Sequence, residues 1–336
     1  MSNIHAVAKR AGVSTATVSR VLSRPDVVAP DTRLKVLKAV EHLGYAPNSA
    51  AKHLRTRRSG KILVTVPDIS NPFFSLILQG IEDAAQREGY AVLLGDTQHN
   101  EAREERYALM LRRKEADGLI FLGHRLPKAA AELVNFMAPQ CAPIVNGCEF
   151  SAGLGVPGVH IDNAIAAAQA MDHLYGLGHR HIAVVTGPLE SPLSRDRLRG
   201  TRSSAQARNV ESALLVMTGD FSIESGAKAA QQLLARADPP TAIFCFNDEM
   251  AIGVIDAARE RGVNVPRDLS VVGFDDIRFA RHVEPPLTTV AQPMRDIGHG
   301  TVRLLLDILA GRLLPPTSIT LPHALIVRRS TASPNR

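Results

Sequence analysis

The sequence is poor in the residues that several common kinds of protein are built on. Its 336 residues include no tryptophan, only four tyrosines and only three cysteines. Cys141, Cys148 and Cys245 are an odd set with no C-x-x-C and no histidines paired at ligand spacing. That excludes a disulfide frame and a zinc site and predicts reduced thiols in ordinary buried positions. No apolar run approaches the ~18 residues of a membrane span, and the N-terminus lacks a long apolar export signal. A cytoplasmic protein is expected. Neither G-x-x-x-x-G-K-S/T nor G-x-S-x-G occurs. Gly153, Gly155 and Gly158 do spell G-x-G-x-x-G, but Pro157 interrupts it and a strand follows where a helix is needed, so the dinucleotide fingerprint fails on context. His179 and His181 fall at a helix-to-strand turn, where a histidine suits the end of the helix better than a metal. With no nucleophile, metal set or cofactor loop, neither an enzyme nor a cofactor is expected.

Charge is present but unevenly placed. Up to Lys61, twelve Lys and Arg stand against three Asp and Glu, a charge of +9, which leaves −3 for the rest of a chain whose total is +6. A basic head on a mildly acidic body is an electrostatic footprint for a polyanion. Nucleic acid is favoured over membrane because no stretch pairs the charge with large aromatic residues.

The head is patterned for folding. Ile4, Val7, Ala8 and Ala11 recur at the spacing of one apolar helical stripe, leaving Lys9 and Arg10 to water. Gly12 supplies a turn, Val13 plugs the corner, and Ser14 caps a second helix, STATVSRVL. In that helix Val18 and Leu22 pack inward. Thr15, Ala16, Ser19 and Arg20 leave a small, hydroxyl-bearing, cationic surface that suits a DNA major groove, where Arg reads guanine and a methyl meets thymine. A third helix, Asp31 to Leu43, turns Val36, Leu37, Val40 and Leu43 inward. A short helix from Ser49 to Leu54 then sets Ala51 and Leu54 near one face, among Lys52, Arg55, Arg57 and Arg58.

From Lys61 short apolar strands alternate with helices: KILVTVP, a helix from Pro72, AVLLGD, a helix from Glu101, GLIFLG, PIVNG and VHID. A second set follows Asn163 through HIAVVTG, LLVMTG, AIFCFND and SVVGFDD, and TTVAQP leads to a helix from Met294 and two short strands ending at Arg328. At ~100 to 200 residues per domain, two or three domains are predicted. The alternation gives the fold class: an α/β body of two doubly wound parallel sheets behind an all-α helix-turn-helix head. The boundaries read as 1–46 for the head, 47–60 for a short helix and linker, and 61–336 for a two-lobed body.

The opening VAKRAGVSTATVSRVL, the Tyr45-x-Pro47 step and the AAKHL hinge together resemble the LacI/GalR family of bacterial transcription regulators, and the likeness runs nearly end to end. It is nearest to nucleoside-responsive members through VPDISNPFFS, LLGD, RLPK, VHIDN, GDF and AQP. The resemblance implies an effector-controlled repressor acting as a homodimer on a pseudo-palindromic operator in double-stranded DNA. It also implies three crossings between lobes, with lobe 1 near 61–160 and 291–320 and lobe 2 near 161–290 and 321–331. On the head it implies Thr15, Ala16, Thr17, Ser19 and Arg20 at DNA, joined by Ala51, Leu54 and Arg55, with two Leu54 side chains wedged into the minor groove. STASPNR carries no leucine heptads, so a dimer is expected and not a tetramer.

In open parallel sheets ligands sit at the carboxyl ends of strands. The turns there offer Phe73, Phe74 and Phe221 as apolar faces for a planar ligand, and Arg197, Asp248 and Asp275 as partners for sugar hydroxyls or a base edge. The resemblance raises these six as a group, since NPFF, Arg197-Leu198, GDF and GFDD occupy the positions where relatives build the effector cleft. Ser191 and Leu193 stand where purine-responsive relatives use a cationic side chain and a threonine, which counts against a purine held in that way. A pyrimidine nucleoside is the expected small-molecule effector and a free sugar its rival. A solute-binding protein of a transport system is the alternative for the whole chain, weakened by the basic head.

Overall fold

The computed structural model describes residues 3–45, 58–138, 140–149, 152–312 and 318–335. The chain divides into two compact units, Met1–Arg58 and Ser59–Arg336. The hinge residues Ala51, Leu54 and Arg55, and the helix expected over 49–54, lie outside the described residues.

The first unit is three helices, α1 (Ile4–Ala11), α2 (Thr15–Ser23) and α3 (Pro30–His42). The Asn3 side chain accepts the Ala6 N–H to open α1, Gly12 closes it at φ +67°, and Ser14 Oγ accepts the Thr17 N–H to open α2. Pro30 begins α3 where its missing N–H costs nothing. Val7, Ala8, Val18, Val21, Val36 and Ala39 form the core. Two inward positions differ from the sequence expectation. Val21 is buried while Leu22 only packs against the core, and Leu37 is 45% exposed while Ala39 takes the inward place. In so small a bundle the helices approach closely, and alanine fits where leucine does not.

The second unit holds two six-stranded sheets. The first has strands β1 (Lys61–Val66), β2 (Ala91–Asp96), β3 (Gly118–Phe121), β4 (Ile144–Gly147), β5 (Gly158–Ile161) and β11 (Ser318–Leu321), in the order β11-β5-β4-β3-β1-β2. All its pairings are parallel. The second has β6 (Ile182–Thr186), β7 (Leu215–Thr218), β8 (Ala242–Cys245), β9 (Ser270–Asp275), β10 (Thr288–Ala291) and β12 (Ala324–Ile326), in the order β12-β10-β9-β8-β6-β7, with β12 antiparallel. The chain passes from one sheet to the other after β5, after β10 and after β11.

Alternation along β1 explains its apolar run. Ile62, Val64 and Val66 face one core, with α4 (Pro72–Arg87) and α11 (Met294–Leu309), while Leu63 faces another, with α5 (Glu101–Arg112) and α6 (Lys128–Met137). A strand covered on both sides has no use for polar residues. Helix α6 was not expected from the sequence: it opens on Pro127 with no side-chain cap to mark its start, and its stripe of Ala129, Ala130, Leu133, Val134 and Met137 packs into this second core. In the second unit's other lobe α7 (Asn163–Gly176), α8 (Pro192–Gln206), α9 (Ile223–Leu234) and α10 (Asp248–Glu260) cover the second sheet. His179 donates its backbone N–H to the Leu174 carbonyl in the last turn of α7, and its ring bonds Thr241 Oγ1 at 2.8 Å and the Ala332 carbonyl at 2.9 Å, so it also ties down the C-terminal segment. Among the described residues no helix is long and apolar enough to cross a membrane.

The late helix α11 returns to the first sheet because two glycines let it touch α4. A Cβ on Gly80 would stand 2.3 Å from the Arg295 carbonyl oxygen, and one on Gly298 would stand 2.3 Å from that of Ile77. In a free helix Gly to Ala stabilises by ~1 kcal/mol. Here the obstacle is backbone, which cannot swing aside, and overpacking of this kind costs about 1–3 kcal/mol. Gly298→Ala is therefore expected to lower stability, read as an earlier urea midpoint; an unchanged or later midpoint would show that the two helices are free to part.

Candidate functional site

On the head, Ala16 and Arg20 are exposed and Thr15, Thr17 and Ser19 half-buried. The Thr17 hydroxyl lies 3.0 Å from Ser14 Oγ, so Thr17 is partly engaged in holding the cap. Arg20 makes no ion pair among the described residues, and it stands exposed at the last turn of α2.

In the second unit the strand ends enclose a cavity of ≈ 330 Å³, within the ~300–1,000 Å³ typical of small-molecule sites. Asn71 places the first aromatic pair: its side chain accepts the Phe73 N–H and opens α4, with Pro72 in the first turn. Phe73 and Phe74 then meet edge to face, ring centroids 5.2 Å apart, and both line the cavity. From the other lobe comes Phe221, after β7. Its ring lies so close over Gly187 that a Cβ there would stand 2.0 Å from it, and Asn247 Nδ2 donates to its carbonyl at 2.8 Å. Phe221 and Asp275 adopt φ of +73° and +112°, conformations that L residues rarely hold and that collect at working sites.

Arg197 and Asp275 form the floor. Arg197 reaches from α8 and is 3% exposed. Its Nε donates to Asn163 Oδ1 at 2.8 Å, Nη1 donates to the Phe246 carbonyl, and the guanidinium lies 3.6 Å over the Phe274 ring. Nη2 stands 3.7 Å from Asp275 Oδ1, which accepts from Gln292 Nε2 at 2.7 Å. Burial pushes the Asp275 carboxyl up to about 7 against the pull of Arg197 and Gln292. Burial, with Asp68 nearby, likewise raises Glu249 to about 7.

Five of the six expected effector residues line this cavity: Phe73, Phe74, Arg197, Phe221 and Asp275. Asp248 does not. It is wholly buried, accepting the Thr289 hydroxyl at 2.5 Å and the Ile277 N–H at 2.8 Å, and it packs against Gly273. Its work is to fix the turn after β9. The neighbours Asn247 and Glu249 face the cavity in its place. Sequence reasoning also missed His124 and Glu149, which follow β3 and β4. Position alone pointed to them, since each lies just past a strand's carboxyl end. Ser191, noted only as a departure from purine-responsive relatives, bridges to Glu149 with a 2.8 Å hydrogen bond. Among the described residues no cluster suited to a metal ion is found.

A three-helix head of helix-turn-helix form and, in the same chain, a two-lobed body with a cleft at its strand ends define a ligand-responsive DNA-binding regulator. The comparisons agree. The model of the bacterial regulatory proteins, lacI family, matches residues 3–48, and that of the periplasmic binding protein-like domain matches residues 171–331. The HTH-type transcriptional repressor CytR of Escherichia coli (strain K12) is 42% identical over 326 residues, 97% of this chain and 95% of that protein. The structure of the lac repressor dimer bound to operator and the anti-inducer ONPF superposes with a TM-score of 0.89, at 29% identity, over 98% of this chain and 99% of that one. A LacI family transcriptional regulator from Enterococcus faecium with bound ribose gives a TM-score of 0.72, at 29% identity, over 81% of this chain and 99% of that one. The chain belongs to the lacI family and is a DNA-binding transcriptional regulator.

The raised Asp275 carboxyl sets a pH dependence. Between its ordinary value near 4 and about 7, the folded chain keeps a proton that the unfolded chain has released. Stability from this source is full below that window and is lost as pH rises through about 7. Urea unfolding at pH 5 and pH 8 is expected to show the parent losing stability at the higher pH, and Asp275→Asn losing less. Parallel losses in the two proteins would place the titration elsewhere.

Proposed function

We propose that this regulator is a repressor that responds to a nucleoside, with a pyrimidine base held between Phe73 and Phe221 and the ribose hydroxyls held by Asp275 beside Arg197. The observation that carries the reading is the pair of aromatic residues, one from each lobe, lining one cavity with a buried carboxylate. Likeness to nucleoside-responsive members of the family supports it. The first lobe comprises about 61–160 and 291–320 and the second about 161–290 and 321–331, with the effector between them. The protein acts as a homodimer in the cytoplasm and has no enzymatic activity. Thr15, Ala16, Thr17, Ser19 and Arg20 face DNA, with Ala51, Leu54 and Arg55 of the hinge. Two heads related by a twofold axis read two half-sites, which is how so small a head reaches useful specificity.

A sugar effector is the second reading, favoured by the relative from Enterococcus faecium with bound ribose. Calorimetry with cytidine, uridine, adenosine and ribose separates the two. A nucleoside is expected to bind at least tenfold more tightly than ribose, and Asp275→Ala to weaken it by tenfold or more. Ribose binding as tightly as any nucleoside removes the stacking role of Phe73 and Phe221.

For the head, Arg20→Ala is expected to weaken operator binding by ~1–3 kcal/mol and to relax one base position. Titrations against operator and random DNA check this. Equal losses on both would make Arg20 a phosphate contact and not a reader of bases.

A further inference from the structure

A second crevice, of ≈ 390 Å³, opens between the lobes at their first crossing. None of the residues lining it lines the effector cavity. One wall is a face of α8, where Pro192, Arg195, Asp196 and Arg199 recur at i, i+3, i+4 and i+7. The other is formed by the paired strands β5 and β11, with His160 opposite Thr320, and by Asp162 and Asn163 of the crossing. Most of the polar groups here are engaged. His160 bonds Ser318 Oγ and the Ile161 carbonyl, Asp162 gives Oδ1 to the N–H groups of Ala164 and Ile165, and Asp196 pairs with Arg199. Arg195 is different, because it pairs with no carboxylate among the described residues. Its Nη1 donates to the Leu189 and Glu190 carbonyls at 2.9 and 2.8 Å, which pins the guanidinium, while Nε and Nη2 make no hydrogen bond among the described residues. Asn163, 7% exposed, adds a second donor. Arg197 Nε donates to its Oδ1, so Nδ2 is the end left over, and it too makes no hydrogen bond among the described residues.

We propose that this crevice is a second ligand site, taking a small organic oxyanion, a phosphate or a carboxylate, on Arg195 and the Asn163 amide. The assignment does not rest on the nucleoside reading. An oxyanion accepts from several donors at once, and a planar guanidinium held through one nitrogen presents the others to two oxygens of one group. A cation fits poorly, since both carboxylates already have partners and Arg195 repels it. A base fits poorly too: no phenyl ring lines the crevice, whereas the effector cavity offers Phe73, Phe74 and Phe221. The space exceeds what a bare phosphate fills, so the anionic group arrives on a carbon skeleton that reaches toward Thr320. Asn163 touches both places, because the amide that faces the crevice also holds Arg197 at the floor of the cleft.

The test is calorimetry on the full-length protein with glycerol 3-phosphate, malate, inorganic phosphate and uncharged glycerol, at constant ionic strength set with chloride. Glycerol 3-phosphate or malate is expected to bind at one molecule per chain with a dissociation constant of about 1 mM or below, and glycerol not to bind. Which of the two binds more tightly tells a phosphate from a carboxylate. Arg195→Ala should weaken that binding by roughly tenfold or more, the size of a hydrogen bond to a charged group. Thr320→Phe fills the crevice from the opposite wall without changing charge. It should weaken binding as well, and it covers the case in which Arg195→Ala fails to fold. Binding that both variants leave unchanged puts the anion elsewhere, on the basic head or in the effector cleft, and overturns the assignment. A parent that binds neither organic anion overturns it too. Inorganic phosphate bound as tightly as either of them reduces the crevice to an adventitious ion site, with no organic ligand.

Discussion

A guanidinium that water cannot reach must be surrounded by acceptors, and much of the second lobe is arranged to do that for Arg197. It cannot shed its charge, and leaving a buried charge without partners costs several kcal/mol. Its acceptors come from distant parts of the chain: Asn163 just after the first crossing, the Phe246 carbonyl beyond β8, and Asp275 at the end of β9. The Phe274 ring covers the remaining face. One cation thus fixes two strand ends and the first crossing together, and the wall of the cleft is set before any ligand arrives. The pairing with Asp275 is loose, at 3.7 Å. Burial therefore outweighs attraction and lifts that carboxyl to about 7, leaving it responsive to a hydroxyl from a ligand.

What could be read in advance follows how local the cause is. Helices α1 and α2 were legible because stripe, glycine turn and serine cap lie within twenty residues and point the same way. The strand runs were legible because sheets covered on both faces need unbroken apolar sequence. Helix α6 was not, since it opens on Pro127 with no capping side chain to mark its start. Val21 and Ala39 took inward places from Leu22 and Leu37 because the distance between packed helices, which no residue states by itself, decides which size fits.

The cleft shows the same division. Its aromatic residues and Asp275 were foreseeable as side chains at strand ends, where this kind of sheet binds ligands. Asp248 met the same criterion and failed, because Gly273 in the neighbouring strand opens a space that draws its carboxylate inward to Thr289 and Ile277. Glu149 lacked any motif, and its partner Ser191 is forty-two residues away in the sequence. Only the third dimension brings a glutamate of one lobe to a serine of the other.

That bridge bears on how a ligand acts. An effector shifts a conformational balance only by its difference in affinity for the two arrangements, and the coupling is reciprocal, so DNA must change effector affinity by the same factor. Contacts confined to one lobe are the same whether the lobes are apart or together; they add affinity and no control. Arg197 and Asp275 belong to the second sheet's lobe, and a ligand touching them alone would bind without signalling. Phe73 against Phe221, and Glu149 against Ser191, each draw on both lobes. Control therefore has to pass through residues that face one another across the cleft, while the buried floor supplies holding power, and the two properties are open to separate change by mutation.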